Sequence, residues 1–185
     1  GAFVTVHARS TDGVRMAVRN GVRIVHHATH LDDAAIAELT AARDDVWVCP
    51  GLHYLRAVVD GRAEPYGIER ERVEQALYPD ELQAAIDGYR KLYSNGVRIV
   101  AGGDFGHQWT KHGTYAAELA AYVELLGFSP LEALLTATAN AGLPPGNEDL
   151  TPDVAGQDLA DGPTVVARFP GAETSFGTLP MAPVA

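Results

Sequence analysis

Three observations predict an α/β fold built on a parallel sheet. Short β-branched runs alternate with helix-period segments over residues 3 to 139. The string Asn20-Gly21-Val22-Arg23-Ile24-Val25 recurs unchanged as Asn95-Gly96-Val97-Arg98-Ile99-Val100. In each copy a glycine suited to φ > 0 closes a helix and a buried strand follows, which is the helix-to-strand junction of a repeated βα unit. Finally, three of the four expected strands end in histidine or aspartate.

The elements follow in order. Phe3-Val4-Thr5-Val6 reads as a strand ending at His7, and Asp12 to Asn20 as a short helix. Ile24-Val25 forms the next strand, ending at His26 and His27. Asp32 is an N-cap candidate for a helix to about Ala42, with Ala35, Ile36 and Leu39 inward. Val46-Trp47-Val48 is the third strand, stopped by Cys49-Pro50-Gly51. A segment rich in Gly, Tyr and charge follows, with a helical piece near Ile68 to Leu77. Asp80 is expected to cap a helix to Tyr93, with Leu82, Ile86 and Tyr89 on one face. Val97 to Val100 is the fourth strand. Helices are expected over Tyr115 to Leu126 and Pro130 to about Ala139, the second opened by the capping-box pattern Ser129-Pro130-Leu131-Glu132. Residues 1–146 therefore form the α/β part. Residues 147–185 are rich in Gly, Pro and Asp, with one strand-like run, Val165 to Phe169, and read as a tail or the remnant of a small β domain. Four strands suit an open sheet or half of an eight-stranded barrel.

The chain has 185 residues, of which 46% are hydrophobic, enough for a core. Its formal net charge is −10, which disfavours nucleic acid as a partner. No apolar run is long enough for a bilayer, and Gly1 to Ser10 lacks a signal-peptide pattern, so no membrane partner is expected. The single Cys49 cannot form an internal disulfide, which suits a cytoplasmic location.

Parallel α/β folds carry their chemistry just past the C-terminal ends of the strands. Here those ends supply His7, then His26-His27-Ala28-Thr29-His30, then Gly103-Asp104-Phe105-Gly106-His107. Imidazole and carboxylate are the usual ligands of zinc-type hydrolytic sites. One histidine at a strand end is more often structural, and Asp104 alone could cap the next element. Their joint occurrence on separate strands favours a site.

These residues carry a resemblance. Val6-His7-Ala8, a helix, then Gly21-Val22-Arg23-Ile24-Val25-His26-His27-Ala28-Thr29 resemble barrel strands five and six of the amidohydrolase superfamily. Gly96-Val97-Arg98-Ile99-Val100-Ala101-Gly102-Gly103-Asp104 resembles strand eight, and the run from Ser129 to Ala141 resembles the helix after it. The nearest flavour is the imidazolonepropionase-like and Xaa-Pro dipeptidase-like group, and the likeness covers roughly Val4 to Gly146. It implies the C-terminal four βα units, strands five to eight, of a TIM-type metal-dependent hydrolase barrel. It further implies that His7 and His27 are metal ligands, and that Asp104 is both a ligand and the catalytic base. His26 falls where the family often has Glu and is not a ligand. One or two divalent ions, zinc first, would activate water to hydrolyse a C–N bond in an amide, cyclic amide or peptide-like substrate. The family's strand-one His-x-His and strand-four lysine have no counterpart in this sequence, so an N-terminal half-barrel chain or a second copy is an expected partner. Gln157 to Gly162 with Val165-Val166 echoes the family's closing motif.

The insert from His53 to Tyr78 lies on the catalytic side, as a lid or a plain surface loop. Its His53, Tyr54, Arg56 and Tyr66 are candidate substrate contacts, as are His107 and His112 after strand eight. Cys49 reads as a small buried residue. Two rivals stay open. A non-catalytic half-barrel binding subunit would associate through unpaired strand edges. A small flavodoxin-like binding domain would need a phosphate loop, and Gly102-Gly103-Asp104-Phe105-Gly106 lacks the GxGxxG form.

Overall fold

The computed structural model describes residues 4–142. The expected tail, with its strand-like run and closing motif, lies outside the described residues. Four strands, β1 (Thr5–Ala8), β2 (Ile24–His27), β3 (Trp47–Cys49) and β4 (Arg98–Ile99), form one sheet in the order β1-β2-β3-β4. Every pairing is parallel, with Val6 opposite Val25, His7 opposite His26, and Val48 opposite Ile99. Sequential order and uniform direction are what consecutive βα units give.

Side chains alternate across the strands. Ala8, Val25, Val48 and Ile99 point toward the helices and belong to the main core. There they meet Val14 and Ala17 of α1 (Thr11–Arg19), Ile36 and Leu39 of α2 (Asp33–Ala41), and Ile86, Tyr89 and Leu92 of α5 (Tyr78–Ser94). On the opposite face Trp47, Cys49 and Val100 form a smaller cluster, with the Arg98 guanidinium 4.0 Å from the Trp47 ring centre. His7 and His26 share this second face, their rings stacked with centres 5.0 Å apart.

Local signals fix several boundaries. Ser10 and Asp32 cap α1 and α2 through side-chain bonds to Gly13 and Ala35. Both copies of the repeat behave alike, with φ of 71° at Gly21 and 76° at Gly96. Ser129 and Glu132 form the full capping box of α7 (Pro130–Thr136), which is followed by the short α8 (Ala139–Gly142).

Two expectations need correction. The segment after Gly51 begins with a helix, α3 (Leu52–Val59), before the expected short helix α4 (Arg70–Gln75). Asp80 does not cap α5. That helix starts at Tyr78, behind Leu77 at φ 59°, because Pro79 suits a first helical turn. The helix expected over 115–126 is present, as α6 (Ala116–Ala121) widening into a π turn over Tyr122–Leu126 that stops at Gly127 with φ 80°. No helix among the described residues is long and apolar enough to cross a membrane.

Candidate active site

The C-terminal ends of all four strands border one cavity of about 210 Å³. Its wall includes Arg9 after β1, His27 and Thr29 at the end of β2, Gly51 and Tyr54 after β3, and Asp104 and His107 after β4. Tyr78 and Glu81, from the start of α5, line it as well.

Strand alternation would send His27 toward the helices, because it pairs with the buried Ala8. Instead His27 has φ 70° and Ala28 φ 40°. That left-handed turn takes the imidazole out of the alternation and brings its Nε2 to 2.7 Å from His7 Nδ1. Asp104 has φ 52°, so three of the four left-handed non-glycine residues among those described cluster at this mouth. Such conformations cost about 1–3 kcal/mol each and persist where surroundings hold them. Here the buried Tyr89 hydroxyl donates to the His27 carbonyl, and Ala28 N–H donates to the Ala8 carbonyl at 2.9 Å. Thr110 Oγ1 donates to the Asp104 carbonyl at 3.3 Å.

Glycines permit the close approaches beside these residues. A Cβ on Gly102 would stand nearer than 3.0 Å to Cys49 Sγ, and one on Gly103 would stand 2.5 Å from the Phe105 ring. A Cβ on Gly51 would lie 3.7 Å from His27 Nδ1. The two glycines of the Ala-Gly-Gly-Asp run thus leave room for Cys49 and Phe105 after β4.

Burial lowers the pKa of half-buried His27, against the opposing pull of the Asp104 carboxylate. Burial and the neighbouring His7 lower that of His26, whose Nε2 lies 2.7 Å from Thr5 Oγ1. Neutral imidazole is the form that binds metal. Two tetrahedral zinc ligands at about 2.0–2.1 Å would hold their nitrogens about 3.3 Å apart. The His7–His27 pair therefore fits two positions of a donor set after a small separation. The carboxylate of Asp104 does not join them, and no group of three or more His, Cys, Asp or Glu suited to a metal occurs among the described residues.

The other candidates divide. Tyr54 and His107 line the cavity with ring centres 5.0 Å apart. Tyr66 lies outside it, its ring tilted against Trp109 with centres 6.3 Å apart. His53 is buried, its ring 5.8 Å from that of Phe105. Arg56 pairs with Glu124 and Asp60, and His112 contacts the Tyr115 hydroxyl at 3.2 Å. None of these last four lines the cavity. Sequence reading missed Arg9, which bonds the nearly buried Glu81. It also missed Glu118, 1% exposed on α6, whose carboxyl burial pushes up to about 7. A lone charge in Ala116-Ala117-Glu118-Leu119-Ala120-Ala121 was the signal available.

The architecture so far is that of consecutive βα units on a parallel sheet, and comparison with known proteins narrows it. No protein-family model matches the sequence. An ochratoxinase from Aspergillus niger is 27% identical over 144 residues, which are 78% of this chain and 28% of that enzyme. A crystal structure of a Xaa-Pro dipeptidase with bound methionine superposes with a TM-score of 0.66 at 25% identity, covering 80% of this chain and 35% of that one. A crystal structure of an amidohydrolase superposes equally, at a TM-score of 0.66 and 25% identity over 81% of this chain and 34% of that one. The chain is thus similar, in sequence and in fold, to hydrolases of the amidohydrolase superfamily across about a third of their barrel proteins, as its motifs predicted.

Proposed function

We propose that the chain supplies part of a metal-dependent hydrolase that cleaves a C–N bond in a small amide, cyclic amide or peptide-like substrate. The observation that carries this reading is the convergence of His7 and His27, from adjacent strand ends, at 2.7 Å beside the cavity that Asp104 borders. In it His7 and His27 are two nitrogen donors and Asp104 closes in as the third. A divalent ion, zinc first, would lower the pKa of water and polarise the substrate carbonyl. Asp104 accepts the water proton and returns it to the leaving amine. Tyr54, Leu55 and Tyr78 offer the substrate an apolar wall, and His107 faces it from the β4 side. The Xaa-Pro dipeptidase and amidohydrolase likenesses support the C–N class.

The chain spans 28% of the length of the curated relative it matches. The other barrel strands and donors that the resemblance calls for would come from outside these 185 residues, on the same polypeptide, on an N-terminal half-barrel chain, or on a second copy. The strand edges favour a second reading, a binding subunit without turnover. Among the described strands β1 pairs only with β2 and β4 only with β3.

The test is hydrolysis of N-acyl amino acids and dipeptides by the chain joined to an N-terminal half-barrel that supplies the other donors, with zinc or manganese added. Wild type should turn over and Asp104→Asn should lose essentially all rate while folded. An Asp104→Asn variant as fast as wild type would sink the assignment. A folded wild type that binds an N-terminal half-barrel without turnover would favour the second reading.

A further inference from the structure

Glu118 is 1% exposed and sits in an otherwise apolar stretch of α6. A carboxylate in such surroundings is costly unless it is well bonded. Its Oε1 accepts the N–H of Leu52 at 2.9 Å and its Oε2 that of His53 at 2.5 Å. The Tyr122 side chain also hydrogen-bonds it. Leu52 and His53 open α3, whose own N-cap, Gly51, has no side chain to offer. The cap therefore comes from 66 positions away.

The same Oε2 lies close to Gly103 in the segment that follows β4, where an added Cβ would stand 3.2 Å from it. Gly103 directly precedes Asp104. The carboxylate thus fills the joint between the β3-to-α3 corner and the end of β4. From one side of that joint α3 carries Tyr54 to the cavity, and from the other the chain carries Asp104 and His107.

We propose that Glu118 is a positioning residue that locks the α3 corner to the end of β4 and so sets the separation between Tyr54 and the Asp104–His107 segment across the cavity. This rests on reading the cavity as the reaction site. A plain cap needs no such group. Ser10, Asp32 and Ser129 cap α1, α2 and α7 from the adjoining residue, without a buried carboxylate. Burial also pushes the Glu118 acid up to about 7, and groups perturbed in this way accumulate at functional sites.

The test compares the full chain with its Glu118→Gln variant by the NMR cross-peak between the Tyr54 and His107 rings. Glutamine keeps the size and removes the charge, but its amide cannot accept hydrogen bonds at both terminal atoms. A folded Glu118→Gln protein should lose the cross-peak. Its kcat per folded molecule should fall on the order of a hundredfold, as misplacement by about 1 Å can do, with KM little changed. Should Glu118→Gln not fold, Glu118→Asp, which keeps the charge and shortens the reach, takes its place. An unchanged cross-peak in a folded variant overturns the proposal. A cross-peak lost in the variant of a chain that never hydrolyses amides even with an N-terminal half-barrel supplied supports the positioning role and sinks the proposed reaction instead.

Discussion

Replacing Gly102 by alanine tests the packing that ends β4. An added Cβ would stand inside 3.0 Å of Cys49 Sγ, a distance that real Cβ contacts essentially never show. Cys49 cannot retreat easily, since it is 6% exposed and packed with Trp47 and Val100. Overpacking of this kind costs about 1–3 kcal/mol. At about 2–4 °C per kcal/mol for a chain of this size, Tm should fall by roughly 2–12 °C. The decisive assay is a double-mutant cycle by thermal or urea unfolding. In a Cys49→Ala background the sulfur is gone, and Gly102→Ala should cost less than about 0.5 kcal/mol, a coupling expected of touching residues. Equal cost in both backgrounds, or no cost in either, would refute the steric account of the glycine pair before Asp104.

Three further outcomes follow from the same geometry. Tyr89→Phe removes the hydroxyl that donates to the His27 carbonyl. It should cost about 1–2 kcal/mol in urea unfolding and weaken zinc affinity by about 10–100-fold, and unchanged affinity would show that the left-handed turn stands without it. Burial pushes the Cys49 thiol up to about 12, so iodoacetamide near neutral pH should leave the native chain unmodified and label the unfolded one; rapid native labelling would contradict that burial. Glu118 binds its proton more tightly folded than unfolded, because burial raises its carboxyl to about 7. Its contribution to stability is fully present below the ordinary carboxylate range and lost as pH rises through about 7, so Tm should decline between about pH 5 and about pH 8 and the Glu118→Gln curve should be flatter.

What was legible in the sequence was local. Gly21 and Gly96 close their helices through their own backbone freedom, and Ser129 with Glu132 caps α7 from within four residues. Helix α3 was illegible because its capping group is Glu118, and Leu-His-Tyr-Leu-Arg-Ala-Val-Val carries no start signal of its own. The same holds at the cavity. His7, His27 and Asp104 stand at strand ends that periodicity locates. The pairing of His7 with His27 depends on a left-handed turn pinned by Tyr89, 62 residues away. Arg9 meets Glu81 across 72 residues, and no spacing rule links them. Alternation alone would have turned His27 away from the mouth.

Metal content of the purified chain, read by elemental mass spectrometry for wild type, His7→Ala and His27→Ala, bears most directly on the central claim. Near-stoichiometric zinc or manganese in wild type, lost in both folded variants, is the predicted result. With the other donors supplied by an N-terminal half-barrel, a folded wild type with no metal after zinc loading, or variants that keep their metal, would contradict the assignment of this histidine pair as ligands.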